Sequence, residues 1–165
     1  MDRGDIAPEE KIYYYINKTR LNDNEIKDLL YQLTILNWDK MEQNYGRNIN
    51  QRIIQKVIKM DIEDIESISN IILLYNNPYG IYTLEFAELI TKIYSKDKIR
   101  FIKGLNLVKE EAINIVYVFR LRKIFIDDVE LERDIEEIQN SQKLSYEEKE
   151  TASRLFKMYK TICAT

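Results

Sequence analysis

The sequence predicts an all-α fold, a single domain of about seven or eight helices. Apolar residues recur at intervals of three and four along most of the chain, which is the spacing of one face of an α-helix. Only four glycines and two prolines occur in 165 residues, too few turn signals for a many-stranded fold. The abundant Tyr and Ile residues favour strands by propensity, but the helical period outweighs that preference. We expect residues 1–7 to form a flexible N-terminal arm and residues 8–165 to form the domain.

The first half of the chain is predicted to form four amphipathic helices. Pro8 fits the first turn of a helix. Asn22 and Glu25 have the spacing of a capping box, in which each side chain bonds the other's backbone N–H. Gly46 is a natural stop, and Pro78 ends the fourth helix because the residue before a proline avoids helical angles. The predicted helices cover about 8–18, 25–45, 48–59 and 64–76.

The second half contains the two most apolar helices. The first, Tyr79–Tyr94, is apolar on nearly every side, which is typical of a buried central helix or a membrane span. Its charged residues and its length argue against a span, which needs about 20 apolar residues. The second is Val108–Phe125, and we expect the two to form a buried hairpin, joined by a short turn or helical continuation around 99–105. Two further helices are predicted at about 127–140 and 145–162.

The composition argues against a nucleic-acid-binding protein and against an enzyme. The net charge is −3, whereas binding to phosphates needs a basic surface. No histidine is present, which removes the usual general base and metal ligand. Acidic pairs stand at predicted helix starts, where capping explains them better than catalysis or metal binding. The single cysteine, Cys163, allows no internal disulfide. We therefore expect no cofactor, no metal and no small-molecule substrate.

Two aromatic residues of the helix predicted at 25–45 allow two interpretations. Trp38 and Tyr45 could anchor a partner protein, since Trp and Tyr are enriched in interfaces. Packing at the boundary of the core explains them equally well. What remains as a function is a groove between amphipathic helices that accepts the apolar stripe of a partner helix.

Several segments, in their order, resemble the Bcl-2 fold and specifically the poxvirus Bcl-2-like inhibitors of apoptosis. Asn77-Pro78-Tyr79-Gly80 stands where that family has an Asn-Trp-Gly-Arg turn opening its central helix, with Tyr for Trp, an inserted Pro, and Ile81 where Arg is usual. The Tyr-rich first helix (13–16), then 28–33 and 44–49, also follow the family pattern. The resemblance covers about 8–125 and implies a Bcl-2-like bundle around a buried central helix hairpin.

The resemblance implies a viral protein that inhibits host apoptosis. It would sequester pro-apoptotic host Bcl-2 proteins by holding their death-motif helix in a hydrophobic groove, and Gly80 would let the ligand backbone approach the central helix. The implied location is the host cytoplasm, or the mitochondrial outer membrane if an anchor has been removed. The groove residues would be Tyr45, Ile49, Ile53, Val57, Ile68, Ile72, Tyr79, Gly80, Thr83 and Phe86.

Two departures from the family pattern support an alternative. The chain has no apolar C-terminal anchor, and the family's second signature, a Trp-containing turn late in the fold, is absent. Another branch of poxvirus Bcl-2-like proteins antagonises host innate immune signalling of the NF-kappa-B type through surface contacts, sometimes as homodimers. The resemblance therefore also allows this second function and a homodimeric state.

Overall fold

The structure is a computed structural model that describes residues 6–163. Within that range the chain forms ten α-helices and no β-strand, which confirms the all-α prediction. A single turn of 3-10 helix, Lys109–Glu111, leads into the eighth helix. Most of the predicted N-terminal arm lies outside the described residues. The helices are α1 Pro8–Ile16, α2 Asp23–Thr34, α3 Trp38–Tyr45, α4 Ile49–Ile58, α5 Ile65–Tyr75, α6 Thr83–Lys96, α7 Lys98–Leu107, α8 Ala112–Arg122, α9 Asp128–Gln139 and α10 Tyr146–Cys163.

The long helix predicted at 25–45 is two helices. α2 ends at Thr34, and α3 begins after Asn37, whose side-chain oxygen accepts a 3.0 Å hydrogen bond from the Lys40 backbone N–H. An Asn side chain that bonds the backbone three residues on offers an alternative to the helical hydrogen bond and starts a new helix. The chain can therefore change direction at 35–37.

The interior is built by more than the predicted pair of apolar helices. α6 packs against α4, α5, α7 and α8, while α5 packs against α2, α6 and α7. The segment predicted as a short turn or continuation is the ten-residue helix α7, which begins where Asp97 caps the Arg100 backbone N–H at 2.9 Å. α6 and α8 are in contact, as expected, but α7 stands between them in the chain and shares the core.

α6 is amphipathic rather than apolar all round. It begins at Thr83, four residues later than predicted, and one face carries the exposed residues Leu84, Glu88 and Lys92. Leu84 is 63% exposed. The opposite sides are buried through Phe86, Ala87, Leu89, Ile90, Ile93 and Tyr94. α6 thus contacts four other helices, whereas the sequence predicts a helix that is apolar on nearly every side.

An aromatic cluster closes the core at the C-terminal end of α6. The Tyr94 ring lies 4.8 Å from Phe119, 5.5 Å from Phe101 and 6.3 Å from Phe125, measured between centroids. Phe125 in turn meets Tyr159 of α10 at 5.4 Å. These contacts join α6, α7, α8 and α10 at one end of the bundle. No helix within 6–163 has both the length and the apolar character needed to cross a bilayer.

Candidate functional site

The turn between α5 and α6 is held together by the side chain of Asn77. Its Nδ2 donates to the carbonyl oxygens of Leu74 and Ile81, at 3.0 and 2.7 Å. Its Oδ1 accepts from the backbone N–H groups of Tyr79 and Ile81, at 3.1 and 3.4 Å. One side chain thus bonds backbone groups at both ends of the turn. The irregular segment has a defined shape although it is not helical.

Two residues of this turn adopt left-handed backbone angles. Gly80 has φ = 63° and Tyr82 has φ = 56°. Glycine adopts this conformation freely, whereas a tyrosine there is strained. A Cβ placed on Gly80 would meet no atom within 4 Å, so the glycine faces open space. The turn therefore presents bare backbone to the surface directly before α6.

Tyr82 connects the turn to α3. Its ring lies 5.6 Å from that of Trp38, tilted by 55°. Burial raises the pKa of the Tyr82 hydroxyl, and the negative charges of Glu85 and Glu42 act in the same direction. The carboxylates of Glu85 and Glu42 therefore lie near the Tyr82 hydroxyl at this end of the turn.

Four of the ten predicted groove residues are accessible. Tyr79 is 39% exposed, and Gly80 is exposed beside it. Thr83, the first residue of α6, and Tyr45, near the end of α3, are half-buried. The Tyr45 ring stacks on Tyr13 of α1 with centroids 4.1 Å apart and planes 8° apart. These accessible residues come from the turn, α6 and α3.

The other six predicted groove residues belong to the closed core. Each is at most 2% exposed. A ligand could reach them only if the helices that cover them moved apart. They are Ile49, Ile53 and Val57 of α4, Ile68 and Ile72 of α5, and Phe86 of α6.

Helix α4 is held in place by polar contacts that the sequence did not indicate. The Lys56 ammonium reaches the carbonyl oxygens of Ile16 and Lys18, at 3.3 and 2.5 Å, and so caps the C-terminal end of α1. Asn50, 8% exposed, donates a 3.3 Å hydrogen bond to the Trp38 carbonyl, while its Oδ1 has no partner within residues 6–163. In the sequence, Asn50 is distinguished only as a polar residue next to Ile49 on the apolar face of α4.

Of the two interpretations of Trp38, the structure supports core packing. The side chain is 1% exposed. In its closed form the chain therefore offers no surface through which this tryptophan could anchor a partner. Asn77 and Tyr82, which shape the turn, are not among the predicted groove residues, although Asn77 belongs to the Asn77–Gly80 segment that carries the resemblance.

No protein-family model matches this sequence, and no curated protein and no solved structure matches the chain. The resemblance to the poxvirus Bcl-2-like family therefore rests on the residues of the chain itself.

Proposed function

We propose that this chain is a binding protein rather than an enzyme, and that it takes an amphipathic helix of a partner beside the Asn77–Tyr82 turn. By its resemblance to the poxvirus Bcl-2-like inhibitors, the partner would be the death-motif helix of a pro-apoptotic host protein. The observation that carries the proposal is the exposed, positive-φ Gly80 on a turn braced by Asn77. A ligand backbone can approach most closely where the protein has no side chain.

The charges near the turn favour a ligand helix with basic residues on the side that faces the turn. Glu42 and Glu85 both lie close enough to Tyr82 to affect its hydroxyl. Opposite charges across an interface increase the association rate and select the register. A ligand helix with lysine or arginine on the side that faces this turn would therefore be preferred over one with acidic residues there.

The apolar pockets of the proposed groove would form when α4 moves away from α6. α4 contacts α1, α3 and α6, and it follows Gly46, whose φ of 98° marks a sharp bend after α3. Exposing each buried aliphatic side chain costs about 1.5–3 kcal/mol. A ligand helix with apolar residues at i, i+3/i+4 and i+7 would restore those contacts when it replaces α4 against α6.

Calorimetry with synthetic death-motif peptides tests the proposal. Gly80→Arg fills the open space and should abolish binding. Gly80→Asn is the matched control, because Asn tolerates the left-handed backbone and adds a much smaller side chain. It should retain most of the affinity, with helical circular dichroism similar in both variants. Failure of the wild-type chain to bind any such peptide would overturn the proposal.

The single tryptophan reports whether the groove opens. Trp38 is buried against Tyr82, so displacement of α3 and α4 would bring it towards water and shift its emission to longer wavelength. We expect this shift to saturate together with the calorimetric binding curve. Binding without any change in Trp38 emission would show that the ligand sits on the closed surface.

The second candidate function is antagonism of host immune signalling through surface contacts. The burial of six of the predicted groove residues favours it, because the closed chain offers partners only its outer surface. This function predicts that adaptor or kinase-complex proteins co-purify with the chain, while death-motif peptides do not bind. Parallel pull-downs with wild type and Gly80→Arg separate the two functions, since only groove binding should be lost in the variant.

A further inference from the structure

A cleft of about 480 Å³ lies at the opposite end of α6 from the Asn77 turn. Phe125, which lines it, packs against Tyr94 with ring centroids 6.3 Å apart. Tyr94 is 11 residues beyond Thr83 on α6, about 17 Å along the helix. Pockets that hold small ligands have volumes of about 300–1,000 Å³, so the cleft is large enough for one. It is lined by Arg120, Lys123, Phe125, Ile126, Tyr159, Ile162 and Cys163.

Aromatic rings form the base of the cleft, and an exposed isoleucine stands at its edge. Phe125 and Tyr159 are half-buried with centroids 5.4 Å apart, and Phe125 also meets the buried ring of Phe119 at 5.9 Å. Ile126 is 88% exposed, although its N–H donates to a Glu130 carboxylate oxygen at 3.3 Å. The loop therefore holds an isoleucine in solvent beside a layer of aromatic carbon.

The charged residues that line the cleft are both basic. Arg120 and Lys123 lie at the end of α8, and within residues 6–163 neither has a carboxylate within 4 Å. The Lys123 N–H bonds the Arg120 carbonyl at 3.2 Å, which fixes the backbone between them. The negative end of the α8 dipole favours cations here, but it does not account for the apolar base beside them.

Two further groups affect where a charged ligand can lie. Burial, followed by Cys163 and the negative charge of Asp128, raises the pKa of Tyr159. The Tyr159 hydroxyl therefore stays protonated at neutral pH and can donate a hydrogen bond. Asp128 does not line the cleft, but its charge disfavours an anion on its side. The preferred place for an anionic group is next to Arg120 and Lys123.

We propose that the cleft binds a fatty-acid carboxylate, an anion with a single apolar chain. The carboxylate meets Arg120 and Lys123, since a guanidinium can bind both oxygens of a carboxylate with parallel hydrogen bonds. The alkyl chain lies over Phe125 and covers Ile126, which removes apolar surface from water. The ligand is held and not converted. A protein partner would need about 20–30 residues on this side of the interface, many more than the cleft provides.

Calorimetry with octanoate, which is monomeric at millimolar concentration, measures this binding. We expect one site per chain. Octanol has the same chain without the charge, and it should bind about ten-fold more weakly, because hydrogen bonds to charged groups are the stronger ones. A wild-type chain that binds no octanoate at millimolar concentration, or that binds octanol equally well, overturns the proposal.

Arg120→Gln and Lys123→Asn test the head-group contact. Each should weaken octanoate binding about ten-fold, with helical circular dichroism unchanged. Asparagine suits position 123 because it tolerates the left-handed backbone that Lys123 adopts. Arg122→Gln is the matched control, since Arg122 is an exposed cation at the end of α8 that does not line the cleft. Equal weakening in all three variants would show a nonspecific effect of charge and contradict the proposed contact.

Cys163 allows a measurement that is specific to this cleft. It is the single cysteine of the chain, and it lines the cleft. Octanoate should slow its alkylation by iodoacetamide, an uncharged reagent, with half of the full effect at the calorimetric dissociation constant. In Arg120→Gln, the same protection should need about ten-fold more octanoate. Octanoate binding that leaves the alkylation rate unchanged would place the ligand elsewhere and refute the proposed site.

Ile126→Ser tests the contact with the alkyl chain. It should weaken octanoate binding about three-fold or more, with thermal unfolding unchanged because the side chain is exposed. Val129→Ser is the matched control: Val129 is 67% exposed on α9 but lies outside the lining. An Ile126→Ser chain that binds octanoate as wild type does would contradict the placement of the alkyl chain.

Vesicles separate a free fatty acid from a membrane surface, which also presents negative charge and apolar chains. We expect the chain not to sediment with vesicles of phosphatidylcholine and phosphatidylserine. Sedimentation that Ile126→Ser abolishes, without any binding of octanoate, would overturn the proposal in favour of membrane docking. Gly80→Arg should bind octanoate as wild type does, so this proposal and the proposed function can fail independently.

Discussion

Gly104 of α7 lies so close to Ile68 of α5 that a Cβ placed on the glycine would stand 2.5 Å from Ile68 Cγ2. The same Cβ would be 2.8 Å from Ile68 Cβ and 3.3 Å from the Ile65 carbonyl oxygen. These distances are below ordinary van der Waals contact. The glycine therefore sets how closely α5 and α7 approach, at a point where both helices are buried.

Gly104→Ala should destabilise the chain although alanine is the better helix former. Overpacking a close contact costs about 1–3 kcal/mol of stability. Replacing glycine by alanine raises helix propensity by about 1 kcal/mol, which offsets only part of the strain. We expect the free energy of unfolding, measured with urea, to fall by about 1–3 kcal/mol with an unchanged m-value.

A double-mutant cycle with Ile68→Ala identifies the cause. Removing the Ile68 branches relieves the closest contact, so the cost of Gly104→Ala should be smaller in that background. Residues in contact show coupling energies of about 0.5–3 kcal/mol. Additive effects of the two substitutions would mean that the Ile68 side chain is not what the new methyl group strikes.

Tyr94 provides a prediction at alkaline pH. It is 4% exposed and donates a 2.8 Å hydrogen bond to Asp134, which also accepts from Lys98 at 3.0 Å. Burial, followed by the hydrogen bond to Asp134 and its charge, raises the pKa of Tyr94 far above the ordinary value. The folded state therefore keeps this hydroxyl protonated at pH values where the unfolded chain loses its proton.

The contribution of protonated Tyr94 to the free energy of unfolding is fully present below the pKa of a tyrosine in the unfolded chain, about 10. It decreases as the pH rises above that value. One such group contributes a slope of up to about 1.4 kcal/mol per pH unit. Tyr94→Phe should remove this part of the slope and cost about 1–3 kcal/mol at neutral pH, since a buried bond to a carboxylate is lost. Denaturation at several pH values measures both effects.

Tyr14→Phe is the matched control for Tyr94→Phe. Tyr14 is 61% exposed on α1, and surface substitutions usually change stability by less than about 0.5 kcal/mol. An equal decrease in the free energy of unfolding of the two variants at neutral pH would show that the hydrogen bond to Asp134 does not contribute to stability.

The helix ends were the part of the fold that local chemistry could predict. The capping box of Asn22 with Glu25 forms as expected, because its hydrogen bonds lie within four residues of sequence. Ser145 and Glu148 form the same pair of bonds at the start of α10. The break at 35–37 was missed because the apolar spacing of three and four continues through it. The close packing of Gly104 depends on Ile68, which is distant in sequence, so local chemistry could not predict it.

The candidate site was less predictable than the helices, and the reason is physical. Periodicity shows which face of a helix is apolar, but it does not show whether another helix covers that face. Ile53 and Phe86 have the correct spacing for a groove and are covered completely. Ile126 was not singled out, although a capped loop holds it in solvent. The helices that cover Ile53 and Phe86 are distant from them in sequence, so the local pattern could not predict this burial.

Glu148 provides a prediction at acid pH. Its Oε1 accepts from the Ser145 backbone N–H at 2.8 Å and from the Lys103 ammonium at 3.0 Å, linking α10 to α7. Burial acts to raise its pKa, but the Ser145 and Lys103 hydrogen bonds outweigh it, and the pKa is lowered. The charged form thus stabilises the fold above the unfolded pKa of about 4.3, and this contribution is lost as the pH falls further.

Glu148→Gln isolates the charge, because glutamine also serves in a capping box. We expect the free energy of unfolding to be about 1–2 kcal/mol lower in Glu148→Gln than in wild type at neutral pH. This difference should become smaller below about pH 4. Glu147→Gln is the control: its pair with Lys109, at 3.2 Å, is largely exposed, and such pairs contribute at most about 1 kcal/mol. A constant difference between Glu148→Gln and wild type across this pH range would contradict the role of the charge.

The four hydrogen bonds of Asn77 allow a prediction of how strongly Asn77→Ala and Asn77→Asp should destabilise the turn. The order expected from these bonds differs from the order expected from side-chain size. Asn77→Ala removes the side-chain donor to the Ile81 carbonyl and the acceptor of the Tyr79 and Ile81 N–H groups, while the Leu74 carbonyl keeps the Asn77 backbone N–H at 3.2 Å. Each half-buried group of Ile81 left unsatisfied costs about 1 kcal/mol or more. We expect thermal unfolding at lower temperature and faster hydrogen exchange at Gly80, whose N–H bonds the Asn77 carbonyl at 3.0 Å.

Asn77→Asp is nearly isosteric but should destabilise at least as much as Asn77→Ala. It keeps the acceptor for the N–H groups but places a second carboxylate oxygen against two carbonyl oxygens, where Nδ2 now donates. Protonation of the aspartate supplies a donor again, so stability should recover partly as the pH falls below about 4. If the turn also positions Gly80 for a ligand, peptide affinity should follow the same pH dependence. An aspartate variant as stable as wild type at neutral pH would show that Nδ2 does not brace the turn.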